Sequence, residues 1–225
     1  MDRIRARRSR DTRAIVISTT VQISLELGCS DRCDAISSPL YLQLSRGYET
    51  CSVLEIPDSV DEWAAEHRTA RKRCARAQAR GYYWRELRRE LHAEEIYEIN
   101  TSAESRQGRR MDRAYRERQE FGPLEEFPCE RHAIRCTGLW TPENELVAYL
   151  TMYRCGDLAL VSQILGHAAH LEREIMYLLF AGALGREIAA GPGMVVYNRH
   201  DSGTDGLRFF KERLGFVEAP VAWIP

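Results

Sequence analysis

The last third of the chain alternates between apolar strands and helices, and this alternation restricts the fold more than any other part of the sequence. Leu158 to Leu165 is almost continuously apolar, which is typical of a strand that is buried on both faces. From Leu171 to Ile188 the apolar residues recur at helical spacing, and Gly191-Pro192-Gly193 ends that helix. Met194 to Tyr197 follows as a short second strand. The segment therefore predicts a strand–helix–strand unit.

A second helix follows this unit. Leu207, Phe210 and Leu214 lie on one face of it, and Gly215 fits the position that ends a helix. A polar cluster from Tyr197 to Thr204 separates it from the preceding strand. Because ligands of open α/β sheets bind beyond the carboxyl ends of the strands, this cluster is where a functional site is expected.

Composition excludes several classes of protein. The 225 residues suffice for one large domain, or for a domain with an appendage, and the net charge of −1 predicts no polyanion partner. The seven cysteines are scattered and none forms a C-x-x-C pair, which favours a reducing cytoplasm and no disulfide framework. No apolar run approaches the ~18 residues of a membrane span. The sequence lacks zinc-ligand spacing, so no metal is expected.

The N-terminal part is predicted to be an appendage with two regions. Residues 1–13 carry six arginines and form either a flexible, solvated arm or a tether for nucleic acid. Residues 14–80 begin with a β-rich segment, with strands expected at 14–27, 41–44 and 50–56.

A long amphipathic helix completes this appendage and is predicted from Asp58 or Ser59 to about Arg80. Four basic residues recur along one side of it: Arg68, Lys72, Arg76 and Arg80. They form either an ordinary solvated face or a ridge for phosphate groups, as in tRNA.

Residues 81–225 are predicted to form the main domain. Its first part is expected to contain a strand at 82–87, helices at 88–100 and 111–119 around a polar loop at 100–110, and strands at 132–139 and 146–155. From Tyr82 onward the predicted order is β-α-α-β-β-β-α-β-α-β.

The C-terminal motif is familiar. The pattern Leu207-x-x-Phe210-Lys211-x-x-x-Gly215-Phe216, after a strand that ends in Tyr-Asn, resembles the GNAT acyltransferase superfamily. Its Phe-Lys pair is most similar to the Fem-type branch, whose members take aminoacyl groups from aminoacyl-tRNA. The resemblance covers roughly residues 81–225. It implies an α+β fold with a mixed central sheet and helices on both faces, to which the β-rich N-terminal segment is added.

The resemblance also implies a cofactor loop. Most GNAT proteins hold the pyrophosphate of an acyl-CoA on backbone N–H groups at a helix start, with the signature Arg/Gln-x-x-Gly-x-Gly/Ala. This chain has Gln163-Ile-Leu-Gly166-His167-Ala168, which fits the pattern. Gln163, Gly166, His167 and Ala168 are therefore the residues expected to bind an acyl-CoA such as acetyl-CoA.

Catalytic roles follow from the same comparison. Many GNAT enzymes use a Tyr as general acid where this chain has Phe210, which has no proton to give. Lys211 is the expected substitute, since its ammonium would stabilise an oxyanion; alternatively it lies on the solvated face of its helix. His167, His170 and His200 lie at the expected strand ends, and a histidine there, with His200 preferred, would accept a proton from the attacking amine. Asp201 would serve instead, or it only forms a capping turn.

Further residues are expected to contact the substrate. Arg106 and Arg109 would hold a carboxylate or phosphate of the acceptor, or would only pair with acids such as Glu104. Tyr197, Asn198 and Phe210, at the end of the second strand and in the last helix, are also expected to bind the substrate.

Three functions are compatible with these residues. The first is an N-acyltransferase that moves an acyl group from acyl-CoA to an amine. The second is Fem-type transfer from aminoacyl-tRNA to the amine of a small molecule or peptide, and then no CoA is needed. The third is a GNAT-like binding module without catalysis. The acceptor and the oligomeric state do not follow from the sequence.

Overall fold

A computed structural model of the chain describes residues 21–24, 50–124, 126–127, 132–191, 193–200 and 203–224. The first part contains β1 (Val21–Ser24), β2 (Thr50–Glu55), α1 (Val60–Glu66), α2 (Arg68–Ala79), β3 (Tyr83–Glu86), the 3-10 helix η1 (Arg89–Leu91), α3 (Ala93–Thr101), β4 (Ser105–Arg106), β5 (Arg109–Arg110) and α4 (Arg113–Arg116). The second part contains β6 (His132–Trp140), β7 (Leu146–Cys155), β8 (Leu158–Gly166), the 3-10 helix η2 (Ala168–Arg173), α5 (Ile175–Ala189), β9 (Met194–Val196), α6 (Asp205–Leu214) and β10 (Val217–Ile224).

Eight strands form one mixed sheet in the order β1-β10-β2-β9-β8-β7-β6-β3. The β1–β10 and β8–β9 pairs are parallel, and the other pairs are antiparallel. β2 lies between β9 and β10, so the residues before 81 and the residues after it share one sheet. β4 and β5 form a separate hairpin.

Helices cover both faces of this sheet. α5 packs on one face of the sheet, where its Phe180 and Leu184 belong to the hydrophobic core, and α2 packs against α5. α3 packs on the other face, where Ile96 and Ile99 join a second core with Tyr149 of β7. The predicted α+β class with a mixed sheet and helices on both faces is therefore confirmed.

The parallel pair β8–β9 separates after three residues. Leu158, Ala159 and Leu160 pair with residues 194–196, and β8 then continues to Gly166 while β9 ends. Such a separation leaves the carboxyl ends of two neighbouring strands apart, which is where a ligand of this kind of sheet would bind.

The predicted helix from residue 59 to residue 80 is interrupted in the structure. Ser59 caps its first turn as expected, accepting a hydrogen bond from Glu62 N at 3.0 Å. His67 then leaves helical geometry with φ −107° and ψ 63°, which divides α1 from α2. The His67 ring fills the space beside Gly215, where an added Cβ would lie 2.3 Å from its Nε2. A tertiary contact therefore sets this break.

Other boundaries also differ from the predictions. The helix expected over 88–100 is divided into η1 and α3, and Leu91 at the end of η1 is 62% exposed. The polar loop at 100–110 forms the β4–β5 hairpin, because Gln107 and Gly108 adopt positive φ at its two-residue turn. The helix expected over 171–188 is interrupted by Glu174 at φ 65°.

The N-terminal predictions are tested only in part. A strand is present at Val21–Ser24, within the predicted 14–27. The arm at 1–13 and the strand at 41–44 lie outside the described residues.

Candidate functional site

Lys211 is the only lysine of the α6 motif, and the structure buries it completely. Its ammonium donates a hydrogen bond to Arg199 O and lies 5.1 Å from the centre of the Tyr197 ring. Burial raises the pKa of the Tyr197 phenol. Lys211 therefore does not lie on the solvated face of its helix, and its charge is held beside the carboxyl end of β9.

His200 lies in the same neighbourhood and is 8% exposed. Its Nδ1 is 3.1 Å from Ser52 Oγ of β2, and its Nε2 is 3.8 Å from Glu212 Oε1 of α6. Asp201, the other predicted base, lies outside the described residues. Neither Ser52 nor Glu212 was predicted: Ser52 is 148 residues away in sequence with no motif around it, and Glu212 occupies a position of the helix motif that has no assigned residue type.

Two further predicted residues, Phe210 and Asn198, make contacts within the protein. Phe210 packs edge-to-face on Tyr177 of α5, with 4.9 Å between the ring centres. Asn198 adopts φ 56°, and its Oδ1 accepts a hydrogen bond from Arg199 N in the turn after β9. Asn198 is exposed and Phe210 is half-buried, so the two side chains face different surroundings.

The loop after β8, where a pyrophosphate was predicted, is closed by hydrogen bonds within the protein. His167 N donates to Val147 O at 2.7 Å, and Ala168 N donates to Ser102 Oγ at 3.0 Å. Ala169 N donates to His167 Nδ1 at 3.3 Å, and His170 N donates to His167 O at 3.0 Å. These four successive N–H groups therefore already have acceptors.

Gly166 and Gln163, which were also predicted to bind the cofactor, are surrounded by packed side chains and by a neighbouring strand, respectively. A Cβ on Gly166 would lie 2.6 Å from Met176 Sδ and 3.0 Å from Leu171 Cδ2, so the packing of side chains requires a glycine there. Gln163 pairs with Thr151 across β8 and β7 and is half-buried.

Arg106 connects this loop to α3. It donates to Gly166 O at 2.8 Å, to Ile99 O at 2.9 Å and to Ser102 Oγ at 3.0 Å. Burial lowers the pKa of Arg106, and the nearby Tyr149 opposes that effect. Arg109 lies opposite Arg106 on β5 and is exposed. The structure therefore separates the two arginines by role: Arg106 supports the loop after β8, and Arg109 faces solvent.

The predicted basic residues lie along the outer side of α2, and all four are exposed: Arg68, Lys72, Arg76 and Arg80. Arg76 contacts Glu174 Oε1 at 3.3 Å, and Arg80 donates to Arg173 O at 3.2 Å. Twelve residues of helix rise about 18 Å, so the four side chains form an extended basic surface.

The described ranges contain neither a membrane-spanning helix nor a cluster of metal ligands. No helix there is long and apolar enough to cross a membrane. No three His, Cys, Asp or Glu side chains of the described residues gather into a group that would hold a metal ion.

No family model matches the chain, and no curated protein is detectably similar to it in sequence. Among solved structures, it is similar to the C-terminal domain (DUF2156) of a protein described as a lysylphosphatidylglycerol synthetase from Agrobacterium fabrum. The TM-score is 0.53 and the identity 12%, over 76% of this chain and 58% of that one.

Two other solved structures have lower scores. L-PGS from Bacillus licheniformis gives a TM-score of 0.49 at 15% identity, over 76% of this chain and 58% of that one. A GCN5-related N-acetyltransferase from Kribbella flavida gives 0.42 at 15% identity, over 62% of this chain and 48% of that one.

The chain thus spans little more than half the length of the first two structures that it resembles. At these identities the likeness concerns the fold and not the activity. The observed order of elements from β3 to β10 is the order predicted from the GNAT resemblance, with the β4–β5 hairpin added. The chain therefore has a mixed α+β fold similar to that of the Agrobacterium domain.

Proposed function

We propose that this protein is an N-acyltransferase that takes its acyl group from aminoacyl-tRNA and passes it to the amine of a small molecule or peptide. The observation that carries the proposal is the closed loop after β8. A CoA pyrophosphate would need the N–H groups of residues 167–170, and these donate to acceptors within the protein. A donor without a CoA moiety does not need them.

The start of α5 supports the same choice of donor. Glu174 is the residue immediately before this helix, and its carboxylate lies between Arg73, at 3.6 Å, and Arg76, at 3.3 Å. A helix N-terminus favours an anion, and here a side chain of the protein supplies that anion. A phosphate bound at this helix N-terminus would be repelled by the Glu174 carboxylate.

The chemistry needs few groups. The acceptor amine attacks the ester carbonyl, a C–N bond forms, the C–O bond to the ribose breaks, and the proton lost by the amine goes to the leaving ribose oxygen. Lys211 would stabilise the oxyanion of the tetrahedral intermediate, and His200 or Asp201 would relay the proton. The burial of Lys211 beside Tyr197 strengthens its electrostatic effect, because the local dielectric constant is low there.

The nucleic-acid part of the donor would contact α2. Its exposed basic side chains lie on one side of the helix, and their charge would meet the phosphates of a tRNA. The Agrobacterium domain is described as part of a synthetase of lysylphosphatidylglycerol, a name that denotes the attachment of an aminoacyl group. Aminoacyl transfer is the chemistry proposed here.

Thermal unfolding with candidate donors tests the proposal. The protein is heated alone and with bulk aminoacylated tRNA, deacylated tRNA, CoA or acetyl-CoA. A ligand present at about 100 times its dissociation constant adds about 2.7 kcal/mol of stability. We expect the midpoint to rise with aminoacylated tRNA and to stay unchanged with CoA and acetyl-CoA.

A double variant then locates the tRNA surface. The double variant, Arg68→Gln with Lys72→Gln, should weaken the binding of tRNA. The slope of log K against log salt concentration should become shallower by about 1.4–1.8, since each lost phosphate contact reduces it by about 0.7–0.9. Arg116→Gln on α4 is the control, because Arg116 is also an exposed helical arginine but lies away from α2. Equal effects of the double variant and the control would contradict the assignment of α2.

A second candidate donor is acyl-CoA, which the Gln163–Ala168 pattern favours. A midpoint that rises with CoA species alone would select it and would require the hydrogen bonds of residues 167–170 to rearrange. If neither kind of donor stabilises the protein, the non-catalytic binding module becomes the better interpretation.

A further inference from the structure

A cleft of about 480 Å³ lies beyond the carboxyl end of β8. Its walls come from the end of α2, the turn between β6 and β7, and η2. The volume is within the range of sites for small molecules. The cleft is separate from the neighbourhood of Lys211, since β8 continues for six residues after its last pair with β9, or about 20 Å.

The two sides of the cleft carry opposite charges. Arg80 directly follows α2 and Arg173 ends η2, whereas Glu143 and Glu145 belong to the β6–β7 turn. None of the ion pairs within 4.0 Å among the described residues joins these arginines to these glutamates. Positive and negative groups therefore face one cleft without neutralising each other directly.

Hydrogen bonds fix the positive side in place. The Tyr82 hydroxyl, on a residue only 3% exposed, accepts a hydrogen bond from Arg173 at 2.8 Å and lies 2.7 Å from His170 Nδ1. Arg80 in turn donates to Arg173 O. Burial, then Arg173 and His167, lower the pKa of His170, while Glu145 raises it. The site is thus preorganised around a buried phenol.

We propose that this cleft binds a small zwitterion, either a free amino acid or a short peptide. Its ammonium would contact Glu143 and Glu145, and its carboxylate would contact Arg80 and Arg173. A ligand with anionic groups alone, such as a phosphate, would meet both glutamates and is disfavoured for that reason. This site lies outside the reaction centre proposed above and does not depend on the identity of the donor.

Calorimetric titration of the full chain tests the proposal. The probes are glycine, diglycine and triglycine, which separate the two charges by increasing lengths and distinguish an amino acid site from a peptide site. N-acetyldiglycine lacks the ammonium, diglycinamide lacks the carboxylate, and pyrophosphate has anionic charge alone. We expect one zwitterion to bind about 10-fold tighter than each of these three, since each loses one set of charge-assisted hydrogen bonds.

Variants then assign the two sides. Glu145→Gln should weaken the binding of the zwitterion about 5-fold or more and leave the affinity for N-acetyldiglycine unchanged. Arg80→Gln should weaken the binding of the zwitterion and leave the affinity for diglycinamide unchanged. Both residues are exposed, so both variants should fold, and thermal unfolding checks this. Arg116→Gln is again the control.

Several results would overturn the assignment: no heat with any zwitterion, tighter binding of pyrophosphate, equal binding of the blocked peptides, or unchanged affinity in Glu145→Gln. The outcome is distinguishable from that of the donor experiment. The donor variant changes Arg68 and Lys72, which do not line the cleft, and zwitterion binding is measured without any tRNA or CoA.

Discussion

Glu187 shows how a single buried carboxylate connects α5 to two strands of the sheet, β6 and β7. Its carboxylate, 1% exposed, contacts Arg135 at 3.2 Å and Arg154 at 3.3 Å. Arg154 also donates to Gly191 O, just before β9. The network therefore connects the end of β7 to α5 and to the segment that leads into β9.

Replacing Glu187 by Ala should destabilise the protein by about 3–5 kcal/mol, because it leaves buried arginine charge without its carboxylate. Urea unfolding measures the change. The control is Glu117→Ala, which breaks an exposed ion pair with Arg113, and exposed pairs contribute about 0–1 kcal/mol. Similar losses in the two variants would show that the buried network is not a special source of stability.

The sequence identified some residues of the candidate site and missed others. Lys211, His200 and Phe210 lie in a local motif, so a pattern over about twenty residues was enough to select them. Ser52 and Glu212, which contact His200, were not selected. The contact of Ser52 depends on β2 lying beside β9, and that of Glu212 depends on how α6 folds back onto the turn after β9. The hydrogen bonds that close the loop after β8 were missed for the same reason, since Ser102 belongs to a distant helix.

At the scale of elements, periodicity predicted the strongly patterned strands and helices but not their interruptions. β7 was predicted with its observed bounds, because ten residues with flanking turns give a clear signal. The breaks at His67 and Glu174 have no such signal. His67 is placed by its contact with Gly215, and Glu174 by its arginine partners on α2.

Two glycines of α5 provide a matched test of its packing. A Cβ on Gly182 would lie 2.4–2.8 Å from the Trp84 ring of β3, whereas a Cβ on Gly185 would lie 3.3 Å from Val60 Cγ2 alone. In a helix interior, Gly to Ala gains about 1 kcal/mol from propensity. Gly185→Ala should therefore be neutral or stabilising, because Val60 is partly exposed and can shift.

Gly182→Ala should destabilise by about 1–3 kcal/mol through overpacking, despite the same gain in propensity. Thermal unfolding measures the difference in stability between the two variants. A change in tryptophan fluorescence that appears in Gly182→Ala and not in Gly185→Ala reports the displacement of Trp84. A Gly182→Ala protein as stable as Gly185→Ala would mean that Trp84 moves aside without cost.

The junction of α1 and α2 should make stability depend on pH. Burial lowers the pKa of His67, and Glu66 partly opposes this. The folded protein therefore binds fewer protons than the unfolded chain as the pH falls below about 6.5, and the free energy of unfolding decreases there. One group contributes a slope of at most about 1.4 kcal/mol per pH unit.

Urea unfolding between about pH 7.5 and pH 5.5 measures this slope. His67→Gln should reduce the slope without abolishing it, because the lowered pKa of His170 contributes in the same direction. An unchanged slope in His67→Gln would show that His67 does not account for the loss of stability in acid.

At the scale of the whole molecule, the position of β2 is the feature that no local pattern predicted. The strand was expected in an N-terminal appendage, and the structure places it inside the sheet. Val53 pairs with Val217 of β10 on one side and with Val196 of β9 on the other. Cys51, Ser52, Val53 and Leu54 are all buried. Without β2, β9 and β10 would each lose a row of backbone hydrogen bonds.

A fragment of residues 81–225 should therefore not unfold cooperatively by itself. It lacks β2 and also α2, whose Ala70 and Ala77 are fully buried against the same core as α5. The unpaired edges of β9 and β10 would be exposed, and exposed edges favour pairing with other chains over a stable monomeric sheet. Near-ultraviolet circular dichroism and urea unfolding of the fragment should show no cooperative transition.

Adding the fragment 1–80 should restore that transition, since the two pieces together contain every strand of the sheet. The full chain, unfolded under the same conditions, gives the reference m-value, which scales with the surface exposed on unfolding. A cooperative transition of 81–225 alone, with an m-value near that of a compact domain of its length, would mean that β9 and β10 pair without β2. The N-terminal segment would then be an appendage after all, and the sheet order would differ between the fragment and the full chain.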